Sequence, residues 1–290
     1  MSCDESGRRL TMFVRAIKDI SAIRGIRTIG AIGAIGAIRT IRAIGEGSPE
    51  LPLDLARVGA RRRREATAAF LLAASAVLYN AWVLEFPLPT GLDPRHSYVS
   101  ELYAADQPFR PLFGGIEILC AVLTSVGAVL ARGSATGPWA RAGWLAVLGL
   151  GLSSLADVLL PMSCAPSLDP GCEAVHPWHT VTSALAHFFV FASMGLLSLA
   201  GGVERPRLPL VRRWGPRVLG LALPAAVGTV GPLFGRPGWH GIPQRTHLAL
   251  VGVWFALLAA ELARSAARYP TRYATPEPAE RGYPTRGSTV

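Results

Sequence analysis

Six oily segments of about 20 residues follow one another between residues 67 and 265, and no other property constrains the fold of this chain as tightly. A helix of that length spans a hydrocarbon core of about 30 Å. Inside lipid a segment must satisfy its own backbone hydrogen bonds, which a helix does. A soluble core can hide one such run, but not six in succession. The chain is 50% hydrophobic and only 17% charged, against about 25% charged residues in soluble domains. The expectation is an all-α, polytopic membrane protein. Its bundle of six transmembrane helices lies at residues 67–86, 112–131, 142–160, 179–203, 218–234 and 246–263.

The basic residues orient that bundle. Arg61, Arg62, Arg63 and Arg64 precede the first segment, and the second and fourth connectors are also arginine-bearing. Only Arg95, Arg110, Arg236 and Arg245 of the 29 Lys and Arg fall in the first, third and fifth connectors. Lys and Arg mark cytoplasmic loops, so both termini are expected in the cytoplasm of a bacterial cell and the odd-numbered connectors outside. The same distribution accounts for the net charge of +10. It signals topology and attraction to anionic headgroups, not nucleic acid, which needs a folded basic face interleaved with aromatics.

Three regions follow. Residues 1–66 form a low-complexity leader in which Ile recurs at every third position from Ile17 to Ile44. Steps of three drift around a helix and fix no face. The leader reads either as a flexible cytoplasmic arm or as a translated DNA repeat upstream of the true start, with Val58 an alternative start. Residues 67–265 are the membrane domain. Residues 266–290 are polar and Pro-rich, the composition of a disordered cytoplasmic tail. No secretory signal is evident in the leader.

Polar residues inside the segments carry the functional information. A charge at mid-bilayer costs about 2.5–3.5 kcal/mol even on the lenient insertion scale, so such residues face the bundle interior or a wet cavity. Glu117, Asp157, His179, Ser183, His187 and His247 cluster toward one end of their segments. They are expected to form one outward-facing polar pocket that takes a lipid headgroup or a small polar ligand. Offsets of 3, 7 and 11 put His176, His179, Ser183 and His187 on one face if their helix extends back past Pro177. Glu261, near the opposite end, has Arg264 and Arg268 at pairing distance along a helix.

Two further chemistries are open to that pocket. Imidazoles beside a carboxylate suit zinc, with His179, His187 and Asp157 as candidate ligands and a lipid-directed hydrolase as the activity. No His-Glu-x-x-His signature supports this. Alternatively, Asp157 or Glu117 titrating beside a histidine suits proton-coupled transport. Cys164 and Cys172 share the outer loop that lacks basic residues, and an oxidising compartment favours a disulfide between them.

The first outer loop reads Asp93-Pro-Arg-His-Ser-Tyr-Val-Ser-Glu-Leu-Tyr. Ser97 or Ser100, followed by Glu101, is positioned to cap a short interfacial helix. This loop, followed by Pro108, resembles the S-x-S-E-L-G…P loop of the domain-of-unknown-function 998 family. His179 opening the fourth helix and Gly241-Ile-Pro-Gln-Arg leading into the sixth are similar too. Tyr103 stands where the family has glycine. The resemblance covers roughly residues 67–265 and implies a six-helix prokaryotic membrane protein, with no reaction attached. A weaker similarity, to alkaline ceramidases, implies Ser153 or Ser154 with Asp157, His179, His187 and His247 around zinc. Those relatives have seven helices and a His-x-x-x-His that this chain lacks.

Overall fold

The computed structural model describes residues 50–173, 176–204, 208–236 and 238–268. Most of the leader, its Ile repeat included, and the tail from residue 269 lie outside the described residues. Among the described residues there are six α-helices: α1 (Glu50–Leu78), α2 (Arg110–Arg132), α3 (Pro138–Leu159), α4 (Pro177–Val203), α5 (Pro209–Val227) and α6 (Gly241–Ala267). Short 3-10 turns occupy Ala81–Glu85, Val99–Tyr103 and Gly231–Phe234. There is no strand among the described residues. Each helix packs on its neighbours in sequence, and α1 also packs on α6, so the six close into a ring.

Among the described residues five helices are long and apolar enough to cross a membrane, and the chain is a multi-pass membrane protein. α5 is the exception among the six expected spans. It has 19 residues, and Arg212, Arg213 and Arg217 lie in its first half. Its position also corrects the expected span at 218–234. The helix starts at Pro209 and ends at Val227, so these arginines ride on the helix and not in a loop. Pro is pre-organised for the first helical position, and Glu261 completes the start. Its Oε2 accepts from Leu210 N at 2.6 Å and Val211 N at 3.1 Å. Glu261 was expected to pair with Arg264 or Arg268 along its own helix, but it caps a neighbouring one.

α3 starts the same way. Pro138 opens it, and Glu204, just beyond the end of α4, accepts from Trp139 N at 2.7 Å and Ala140 N at 3.0 Å. Carboxylates fit there because the first N–H groups of a helix lack intrahelical partners and carry partial positive charge.

α1 also departs from expectation. It begins at Glu50, well inside the stretch assigned to a disordered leader, and Arg61–Arg64 belong to it. Ala, Arg and Glu, abundant from Ala56 to Ala66, are strong helix formers. Arg61 and Glu65 add an i,i+4 ion pair at 3.0 Å. The helix stops at Leu78 and not at Phe86. Asn80 turns its amide back onto Ala76 O at 2.9 Å, and Pro87 and Pro89 follow closely.

The ring encloses Leu72, Val147, Leu150, Met194, Leu197, Trp254, Phe255 and Leu258, all at most 1% exposed. Lipid is as apolar as these side chains, so close packing and buried hydrogen bonds hold the helices together. Trp254 Nε1 donates to Ser193 Oγ at 3.0 Å, and Ser193 donates on to Val190 O at 2.7 Å. Phe70, Val77, Phe188 and Leu221 project outward, each more than 60% exposed. α2 and α3 touch closely at Gly151, where an added Cβ would stand 2.9 Å from Ala121 O. Gly151→Val therefore forces two backbones apart. We expect a loss of about 1–3 kcal/mol, measured as a lower melting temperature in detergent; an unchanged melting temperature would count against this packing.

Candidate functional site

Alternation of helix direction gathers the three long connectors, residues 79–109, 160–176 and 228–240, at one end of the ring. Polar contacts fasten them into a cap. Arg245, in the second turn of α6, meets Glu85 in a two-pronged pair, Nε–Oε1 and Nη2–Oε2 both 2.6 Å. Its Nη1 also donates to Ser97 O at 2.9 Å. Gly241 N donates to Arg95 O at 3.1 Å. A side chain at Gly241 would collide with Pro94 O and Ser97 O, so only glycine lets α6 begin this close to the first connector. Gln244 Oε1 accepts from Val99 N at 2.6 Å, and Tyr98 Oη donates to Thr229 O at 2.8 Å.

Glu101 is the second clasp. Its Oε1 accepts from Tyr98 N at 2.7 Å, closing the 3-10 turn. Its Oε2 accepts from Ser167 N at 2.9 Å and Ser167 Oγ at 2.5 Å, joining the first connector to the second. The expected serine cap is thus a glutamate cap. Ser97 Oγ donates to Asp93 O at 2.8 Å, and Ser100 lines the cavity beneath. Burial, with the Glu101 charge behind it, pushes the Tyr98 hydroxyl up to about 12. On the rim, hydrogen bonds from Arg95 hold the Asp93 carboxyl well below the usual carboxylate range. Burial, helped by the neighbouring His96 and Arg245, lowers His240 from its ordinary value.

Below the cap lies a cavity of about 100 Å³. Five of the six expected pocket residues line it: Glu117 from α2, Asp157 from α3, Ser183 and His187 from α4, and His247 from α6. Tyr79, Trp82, Tyr103, Ser154 and Gln244 complete its polar and aromatic wall. The sixth, His179, sits one turn from Ser183 beside Asp157, 7% exposed.

Asp157 is the centre of the polar network. Its Oδ1 lies 2.7 Å from both Thr182 Oγ1 and Ser183 Oγ, and its Oδ2 accepts from Tyr103 Oη at 2.9 Å. The single proton of Thr182 also has His179 O within reach at 2.9 Å. His179 Nδ1 comes within 3.3 Å of Asp157 Oδ1 yet has no hydrogen-bond partner. That oxygen already faces two hydroxyls.

The imidazoles of His187 and His247 stack, with centroids 4.8 Å apart and planes 13° apart. His187 Nδ1 lies 2.7 Å from Ser183 O and His247 Nδ1 3.1 Å from Ala222 O. A carbonyl only accepts, so each Nδ1 carries a proton. His187 Nε2 is buried and has no partner.

His176 does not share that face. α4 begins at Pro177, and His176 is its N-cap in extended backbone. Its ring turns to Ser163 Oγ at 3.4 Å and Cys172 Sγ at 3.8 Å. Cys164 and Cys172 form a disulfide with Cα atoms 6.0 Å apart. Among the described residues, the one trio of donor atoms within 4.8 Å of one another is Cys164, Cys172 and His176, and the disulfide occupies both of its sulfurs. The zinc set His179, His187 and Asp157 is not drawn together in this way, so the donor geometry lends zinc no support.

Sequence reasoning missed Arg245, Tyr103, Thr182 and Ser167 as parts of this end. Arg245 was counted among the outer basic residues; its place four residues after Gly241, in the stretch that carries the family resemblance, was the available signal.

Comparison with known proteins adds one match. The family model described as "Protein of unknown function (DUF998)" matches residues 54–261. No curated protein and no solved structure matches the chain. The matched span contains both stretches that meet in the cap, Ser97–Glu101 and Gly241–Arg245.

Proposed function

The chain belongs to the DUF998 family, and within that architecture we propose a six-span protein of the bacterial cytoplasmic membrane whose outward-facing cavity binds a small protonated amine, either free or as the head of a lipid. Both termini are cytoplasmic in this reading. The arginine distribution supports it. The cap end holds only Arg95, Arg110, Arg236 and Arg245, and Arg245 is buried in its pair with Glu85.

One observation carries the ligand class. His187 Nε2 is a buried nitrogen without a hydrogen-bond partner, in a cavity it shares with the carboxyl groups of Glu117 and Asp157. Buried polar groups are ordinarily satisfied, and an orphaned one invites explanation. The wall joins two carboxyl groups and this nitrogen with one orphaned donor, Trp82 Nε1. An ammonium group, with three N–H donors and a positive charge, complements it; a phosphate would be repelled. Size points the same way. Drug-sized ligands occupy pockets of about 300–1,000 Å³, whereas this cavity of about 100 Å³ takes an amine head or a few waters. A whole lipid would have to remain outside it.

Trp82 lines the cavity and provides a fluorescence reporter. Titration of the detergent-purified protein with ammonium, methylamine and ethanolamine is expected to give saturable quenching. Glu117→Gln keeps the shape of a side chain that can ionise against a bound cation but cannot itself ionise, and should weaken binding by at least about tenfold, or about 1.4 kcal/mol. No saturable response to any of these amines, or equal affinity in Glu117→Gln, would sink the reading.

A further inference from the structure

At the opposite end of the ring, three arginines of α5 border a groove that the cap and cavity leave unused. Arg212, Arg213 and Arg217, with Gly201, Pro209 and Pro216, line a space of about 710 Å³ between the end of α4 and the start of α5. From this we infer a site for the phosphate of an anionic phospholipid.

The arrangement has four supports. All three guanidiniums are exposed, and among the described residues none of them meets a carboxylate. Three cations at one helix end, with no carboxylate partner among the described residues, leave the groove open to an anion. The guanidinium fork matches phosphate oxygens two at a time, which an ammonium cannot do. Trp214 lies between them, 44% exposed, with the guanidinium carbons of Arg213 and Arg217 each 5.3 Å from its ring centre. Tryptophan favours the headgroup layer of a bilayer, so the stack sets the arginines at phosphate depth. Arg217 is further steadied by donating to Arg213 O.

Gly201 shapes the groove. A Cβ there would stand 2.9 Å from Leu208 O and 3.3 Å from Arg212 Cβ. Its absence lets the start of α5 approach α4 and brings Arg212 alongside. The groove lies within the range of ligand sites, about 300–1,000 Å³, unlike the amine cavity. Basic pockets between membrane helices, opening at the headgroup level, are a recognised way to hold anionic lipid heads.

The test uses full-length protein, delipidated in detergent and then offered phosphatidylglycerol or phosphatidylcholine, with bound lipid counted by native mass spectrometry. Phosphatidylglycerol is expected to bind saturably and in preference. The combined Arg212→Gln, Arg213→Gln, Arg217→Gln variant should weaken it by at least about tenfold. The combined Arg132→Gln, Arg141→Gln variant alters the same end outside the groove and should leave affinity within about twofold. Equal losses in the two variants would report a diffuse basic surface and overturn the site. No preference over phosphatidylcholine would overturn it as well. Displacement of the lipid by an equal concentration of inorganic phosphate would overturn the lipid assignment. Should the glutamine variant misfold, the corresponding triple lysine variant serves. It keeps the charge and loses the fork, so a severalfold weakening supports the site and unchanged affinity overturns it. Amine binding at the other end is unaffected in either case, so the two readings fail separately.

Discussion

Arg245→Ala is expected to destabilise the protein by about 3–5 kcal/mol, the cost of leaving a buried carboxylate without its cation. The partners are buried, Glu85 4% and Arg245 6% exposed. Removing the guanidinium strands both Glu85 oxygens and frees Ser97 O, so the first connector loses its tie to α6. Glu85→Ala should cost a similar amount from the other side. The double replacement Glu85→Leu, Arg245→Met removes both charges and should recover much of the loss, because buried pairs exchange for apolar residues at little net cost. Thermal unfolding in detergent can be followed at Trp82, whose ring lies 6.0 Å from the Arg245 guanidinium carbon. A single-variant loss under about 1 kcal/mol, the worth of an exposed pair, would show that water reaches this contact.

Glu101→Ala should be the next most damaging change in the cap. One side chain, 1% exposed, accepts from Tyr98 N, Ser167 N and Ser167 Oγ. Hydrogen bonds to a charged group contribute about 1.5–3 kcal/mol each, but losses within one carboxylate are not additive. A net loss of about 3 kcal/mol is the expectation. The signature is regional. Backbone amides of residues 98–104 and 163–169 should exchange faster with solvent, while the buried helix contacts around Trp254 stay protected. Tyr98 offers a second readout, because its hydroxyl titrates at about 12 mainly through burial and secondarily through Glu101. In the variant that titration should move only partway back toward 10. Uniform exchange across the chain would mean that Glu101 supports the whole fold and not the junction of two connectors.

The sequence announced the polar cavity better than it announced the helices around it. Glu117, Asp157, Ser183, His187 and His247 were legible because lipid penalises exposed polar groups, which leaves them only the interior to face. They line one cavity from four helices. The partners of Asp157 were not legible. Thr182 and Tyr103 are ordinary residues locally, and their role depends on how α4 and the first connector meet α3. The same holds for Ser167, which lies 66 residues from Glu101.

Helix ends were misplaced for a different reason. Hydropathy reports immersion in lipid, whereas helix formation depends on backbone satisfaction and propensity. α1 extends into an arginine-rich stretch and α5 starts with one, so both appeared as loops. His176 was assigned to the α4 face by spacing, but Pro177 takes the first helical position and leaves it outside.

The carboxylates that complete α3 and α5 carry a consequence for biogenesis. Each comes from chain made later than the helix it serves: Glu204 is translated after α3, and Glu261 after α5. α5, with three arginines in its first half, emerges from the ribosome without an acceptor for its leading amides. That acceptor exists only once the final helix has been synthesised almost to its end, so the start of α5 is completed only when α6 packs beside it.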